Sequence, residues 1–151
     1  MKRQQGFSYL VAMFVVAILA VISLRGLENS ASKERRAQEA ELLFIGKAYR
    51  DAIRKYYENS PGFAKHYPPD VASLLRDERA TRMSRPLRRL YWDPITASQN
   101  WGVVPAPGGG VMGVYSLSLR EPMKVDGFPP EFAGFTRAKS YQDWKFVFQP
   151  S

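Results

Sequence analysis

A chain of 151 residues that opens with a long uncharged run leaves roughly ninety residues for a folded core, enough for one small domain. Its formal charge of +8 and pI near 9.9 bias it toward anionic neighbours: lipid headgroups, nucleic acid or acidic protein surfaces. It has no cysteine and one histidine, His66, which excludes disulfides, thiol chemistry and a histidine metal cluster within one chain.

Phe7 to Leu24 is a run of 18 residues without a charge. As a helix it would measure roughly 27 Å, close to the ~30 Å of a bilayer core. Ser8, Tyr9 and Ser23 are its polar members, and Tyr9 suits a membrane interface. A helix apolar on every face at this length is expected to span a membrane, here over residues 7–25. A cleaved secretory signal with Lys2 and Arg3 as its charged region is the rival reading. Such signals have about 7–15 apolar residues before an Ala-x-Ala-like site. This run is longer, and Ile18-Leu19-Ala20 matches that site poorly. Arg25, Lys33, Arg35 and Arg36 follow the run, against Lys2 and Arg3 before it, so the positive-inside rule leans weakly toward an exported N-terminus.

No proline occurs between Met1 and Ser60, and Glu28 to Asn59 is mostly good helix formers. Leu42, Ile45, Tyr49, Ile53 and Tyr56 recur at spacings of three and four, which predicts one apolar face, extended by Ala37, Ala48 and Ala52. Asn59-Ser60-Pro61-Gly62 carries helix-stop signals. The expectation is one helix from Phe7 to about Asn59, about 80 Å long, with Gly26 as its soft point. Residues 26–60 form its amphipathic stem.

Residues 61–151 are expected to form a small α+β domain. Val71, Leu74 and Leu75 suggest a short helix. Trp101 to Val104, Val111 to Leu117 and Trp144 to Phe148 are strand-like, with Pro105 to Gly110 turning the first two into a hairpin. No Gly-Lys-Ser/Thr follows the triple glycine, so it is not a phosphate cradle. Arg120 to Tyr141 reads as an ordered loop. Trp144, Phe146 and Phe148 alternate and are expected to face the stem. The fold class that results is α+β, a long N-terminal helix packed on a small antiparallel sheet.

No catalytic constellation is found: His66 has no nucleophile motif near it and reads as a turn or surface residue, so neither enzyme nor cofactor is expected. The feature that could bind is Arg76, Arg79, Arg82, Arg85, Arg88 and Arg89, opposed by Asp77 and Glu78. Spacings of three would place several on one helix face as a phosphate-binding stripe. The plainer reading, a solvated surface that meets acidic neighbours or lipid, is preferred over nucleic acid, because aromatic side chains are not interleaved until Tyr91 and Trp92.

Lys2-Arg3-Gln4-Gln5-Gly6 followed by Phe7-Ser8-Tyr9-Leu10 resembles the N-terminus of type IV pilins and type II secretion pseudopilins. That family has a short basic leader ending in Gly, then Phe, a hydroxyl residue and a long apolar helix. The resemblance implies a leader at residues 1–6, cleavage after Gly6 by a prepilin peptidase, N-methylation of Phe7, and retention of the apolar helix as an anchor. It further implies a single-pass protein of the bacterial inner membrane with its C-terminal domain in the periplasm. Other pilin or pseudopilin subunits, an assembly platform and its ATPase would be the partners. The usual fifth-position Glu is Val11 here. A carboxylate at membrane depth is costly unless paired, so Val11 removes both the cost and the pairing and argues against a conventional shaft subunit.

Tyr67-Pro68-Pro69-Asp70 with Leu74-Leu75 resembles the segment after the long helix in G-type pseudopilins. Trp92-Asp93-Pro94 and Trp101-Gly102 resemble that group's Asp-Pro-Trp-Gly region, split by Ile95 to Asn100. That group commonly holds calcium in a late aspartate-rich loop. Ser116 to Pro122 offers one carboxylate beside an arginine, with Asp126 nearby, so no calcium site is expected and the loop must be held by packing and prolines. The resemblance implies a structural subunit of a type II secretion or type IV pilus-like assembly. A DNA-binding competence pilin using the arginine stripe is one alternative. A membrane-anchored periplasmic domain that never polymerises is the other.

Overall fold

The computed structural model describes residues 5–79 and 83–151. Among the described residues a single α-helix, α1 (Gln5–Glu58), is followed by three strands and three short 3-10 helices. The chain divides into two compact units, Met1–Ala37 and Gln38–Ser151. α1 continues through Gly26, the expected soft point. One interior glycine costs only about 1 kcal/mol, which its helix-forming neighbours offset, and Ser30 Oγ donates to the Gly26 carbonyl at 3.1 Å.

In the second unit the predicted stem face is the core. Leu42, Ile45, Tyr49, Ala52, Ile53 and Tyr56 are all buried, each large side chain contributing about 2 kcal/mol. Ala48 is half-buried, but Ala37 is exposed because the core begins one turn beyond it. Gly46 sits under the ring of Phe146, where an added β-carbon would lie 2.4 Å from three ring carbons. This glycine lets the sheet approach the helix closely. Two cationic groups collect the carbonyls that α1 leaves unpaired at its end and beyond it. Lys65 Nζ donates to the carbonyls of Glu58 and Ser60, at 2.8 and 3.2 Å, and Arg79 donates to that of Tyr56 at 2.7 Å. Arg50 Nε reaches the Val147 carbonyl at 3.1 Å and ties the helix to the sheet edge.

The sheet is antiparallel in the order β1 (Gly102–Pro105), β2 (Val111–Tyr115), β3 (Phe146–Val147). Val103 pairs with Val114 and Val104 with Gly113, then a bulge sets Pro105 opposite Val111. An edge strand tolerates this proline because it need not donate to the ladder. Gly109 and Gly110 take positive φ in the hairpin turn, and a β-carbon on Gly110 would meet the Pro68 carbonyl at 2.8 Å.

The strands are shorter than their β-forming composition predicts. Ser116 leaves the ladder to donate through Oγ to Asp93 at 2.6 Å, and the Trp144 amide closes a turn on the Tyr141 carbonyl at 3.1 Å. A side-chain hydrogen bond ends the ladder at Ser116, and a backbone turn ends it at Trp144. The short helix is a 3-10 turn at Ala72–Leu75, and the expected loop carries 3-10 turns at Pro130–Phe135 and Tyr141–Asp143. Trp144, Phe146 and Phe148 are buried as their alternation predicts. Phe146 and Phe148 meet α1 directly, at Gly46 and Tyr57, while Trp144 stacks on Phe135 at 5.7 Å.

Candidate functional site

Gly6 and Phe7 lie in the opening turns of α1, and Phe7 is 73% exposed. Every residue from Phe7 to Leu24 is exposed, Val11 among them, so no face of this stretch is covered by its own unit. Ser23 Oγ donates to the Leu19 carbonyl at 2.8 Å, which satisfies that hydroxyl within the helix. This is the one helix among the described residues long and apolar enough to cross a membrane. An aliphatic cylinder with no protein covering demands lipid or other helices around it. Residues 1–4 of the expected leader lie outside the described residues.

The arginines do not form a helix face. Pro86 cannot donate within a helix and pushes Arg85 toward extended backbone, while Asp77 and Ser84 pair as an antiparallel bridge. The Leu87 amide donates to the Leu74 carbonyl at 2.8 Å, pulling both leucines into the core. The candidates consequently scatter. Arg76 is exposed and paired with Glu78. Arg79 turns inward: it pairs with buried Asp77 at 2.8 Å, donates to Ser60 Oγ at 3.0 Å, and stacks on the Tyr56 ring at 3.4 Å. Its hydrogen bonds hold the Asp77 carboxyl below the ordinary range, against the opposing effect of burial. Arg82 lies outside the described residues, and Arg85, Arg88 and Arg89 are exposed.

Arg89 lies 5.0 Å over the ring of Tyr91 and shares a cleft of about 250 Å³ with Glu41, Ile45, Leu90, Tyr91 and Trp92. Trp92 is 60% exposed at its edge. The frame beside it is fixed. Tyr49 Oη accepts from the Tyr91 amide at 3.0 Å, and Trp101 Nε1 donates to the Tyr91 carbonyl at 2.9 Å. The insertion Ile95 to Asn100 is thus bridged in space. Buried Asp93 organises it, accepting from the Ile95 amide at 2.8 Å, Thr96 Oγ1 at 2.9 Å and Ser116 Oγ at 2.6 Å.

The late loop is held by a residue that sequence reasoning missed. Glu39, on α1 and 3% exposed, accepts from the Met123 and Lys124 amides and from Tyr141 Oη, the last at 2.8 Å. A stem carboxylate therefore satisfies the loop's inward-facing donors, beyond the packing and prolines expected. Its partners lie more than eighty residues away, so no local pattern marks it. His66 is exposed in the turn after α1, as expected.

No protein-family model and no solved structure matches the chain. Over 74 residues it is 28% identical to the type IV major pilin protein PilE1 of Neisseria gonorrhoeae, a stretch that is 49% of this chain and 35% of that protein. The chain thus spans about a third of the length of the curated relative it matches. Alongside this similarity over half of its length, the chain carries a long apolar N-terminal helix and a three-stranded antiparallel sheet.

Proposed function

We propose that the protein is a pseudopilin-type structural subunit of a type II secretion or type IV pilus-like assembly, held in the bacterial inner membrane with its C-terminal domain in the periplasm. The observation that carries this reading is the uncovered apolar surface of Phe7 to Leu24 on the helix whose later residues, from Leu42 to Tyr56, bury one face in the protein's own core. Lipid would cover the first part before assembly, and neighbouring copies or sister subunits would cover it afterwards. On this reading residues 1–6 are a leader removed by a prepilin peptidase, Phe7 is N-methylated, residues 7–25 span the membrane, 26–60 form the stem and 61–151 the exported domain. An assembly platform and its ATPase would be partners, and no catalysis is assigned. Val11, lacking the carboxylate that would pair with a neighbour's N-terminal amine, favours a minor position over a repeating shaft position.

The absence of cysteine makes cross-linking clean. Phe14→Cys or Val16→Cys, oxidised in native membranes, should give disulfide-linked products containing this chain, dependent on the assembly ATPase. Monomer alone, with the thiol accessible, would favour an anchored periplasmic domain that never polymerises.

A further inference from the structure

Phe63 is the most exposed large apolar side chain among the described residues, at 107%. It stands at the tip of a turn closed at its base, where the His66 amide donates to Ser60 Oγ at 3.2 Å. Gly62 takes φ +79° to bring the chain round, and Lys65 Nζ holds the carbonyls of Glu58 and Ser60. A phenyl ring kept in water on a braced turn forgoes burial, which points to a partner that covers it. We propose that Phe63 of one copy seats in the cleft between α1 and residues 89–92 of a second copy, with Glu58 on Arg89 and Lys65 on Glu41. The contact presupposes the proposed assembly role and lies within it.

Size, chemistry and charge select this occupant. The cleft of about 250 Å³ is lined by Ile45, Leu90, Tyr91 and Trp92, with Glu41 and Arg89 in its wall. An apolar cavity of about 150 Å³ already takes a benzene ring, so the cleft is large enough for a phenyl group. Trp92, 60% exposed, and Tyr91 offer that ring aromatic neighbours. The charges match as well. Glu58, Lys65, Glu41 and Arg89 are exposed, and none of them forms a salt bridge among the described residues. A negative and a positive group beside the knob therefore meet a positive and a negative group beside the socket.

The knob cannot serve its own chain. Ile45 in the cleft and Glu58 beside the knob belong to one helix and one compact unit, and lie roughly 20 Å apart along the axis. Two copies with parallel stems must be offset by about that distance for the contact to form. Because knob and socket occupy different parts of the surface, the contact is heterologous and leaves one of each free. Two copies suffice for it, so it fits a minor position as well as a repeated one. A staggered assembly supplies the offset, whereas anchored monomers side by side do not.

The test places the photo-crosslinker p-benzoylphenylalanine at position 63 of the full chain, expressed in its native membranes beside an epitope-tagged second copy. Irradiation should link position 63 to residues 89–92, or to α1 near Glu41 and Ile45, of the tagged copy, as read by mass spectrometry. The link should require the assembly ATPase. Trp92→Ala in the tagged copy should lower its yield about tenfold. Arg89→Glu in the tagged copy should lower it about fivefold, and Glu58→Arg in the probe-bearing copy should restore it. These side chains are exposed, so circular dichroism should show the variants folded. A link to another protein or to another surface of the second copy, no link at all, or an Arg89→Glu loss that Glu58→Arg fails to restore overturns the proposal. Phe14→Cys oxidation in the same membranes separates the two levels. Disulfide products without the position 63 link sink this contact alone, and loss of both sinks the assembly reading with it.

Discussion

Gly46 and Asp77 show how single positions decide this fold. An interior helical glycine normally costs about 0.5–1 kcal/mol relative to alanine, so Gly→Ala should stabilise. Here the Phe146 ring occupies the space of the β-carbon. Gly46→Ala is therefore expected to destabilise by about 2 kcal/mol in denaturant unfolding, and much of that loss should vanish in a Phe146→Leu background. A stabilised Gly46→Ala variant would show that the helix–sheet contact is looser than described. Asp77 makes a different prediction. Arg79 lowers its folded pKa, so the pair contributes stability above the unfolded value of about 4 and loses it as pH falls through the folded value. Asp77→Asn should cost about 2 kcal/mol at neutral pH and flatten the decline in stability below about pH 4. Asp70, also lowered, chiefly by the Ser73 hydroxyl, leaves a residual slope in that window.

Periodicity made the stem legible: Leu42, Ile45, Tyr49, Ile53 and Tyr56 are buried as their spacing predicts. β-branched and aromatic composition located the three strands, though their ends yield to Ser116 and the 3-10 turn before Trp144. A helix face of arginines, which their spacing of three would allow, does not form, because that spacing ignores Pro86 and the pull of Leu74 and Leu87 into the core. Glu39 and Asp93 were invisible as hubs, since a buried carboxylate is identified by its distant donors and not by its sequence neighbours. Glu39→Ala leaves the Met123 and Lys124 amides and Tyr141 Oη without their acceptor. It should cost about 2–3 kcal/mol and raise hydrogen exchange at Met123 and Lys124 selectively. Unchanged exchange there would mean the loop is held by packing and prolines alone.

The two units divide the physical work of the chain. Residues from Gln38 onward bury their own core, whereas Phe7 to Leu24 bury nothing and require a surrounding supplied by lipid or other helices. That asymmetry, with the similarity of 74 residues to a type IV major pilin, underlies the proposed role as an assembly subunit. A disposable signal, an ordinary anchor and a processed pilin-like subunit differ in one covalent property, the first residue of the mature chain. Intact mass and N-terminal sequencing of the protein extracted from its native membranes read that property directly. A mature chain starting at N-methylated Phe7 is the predicted result. An intact Met1, or a start near Val21 that discards most of the apolar helix, would contradict the account.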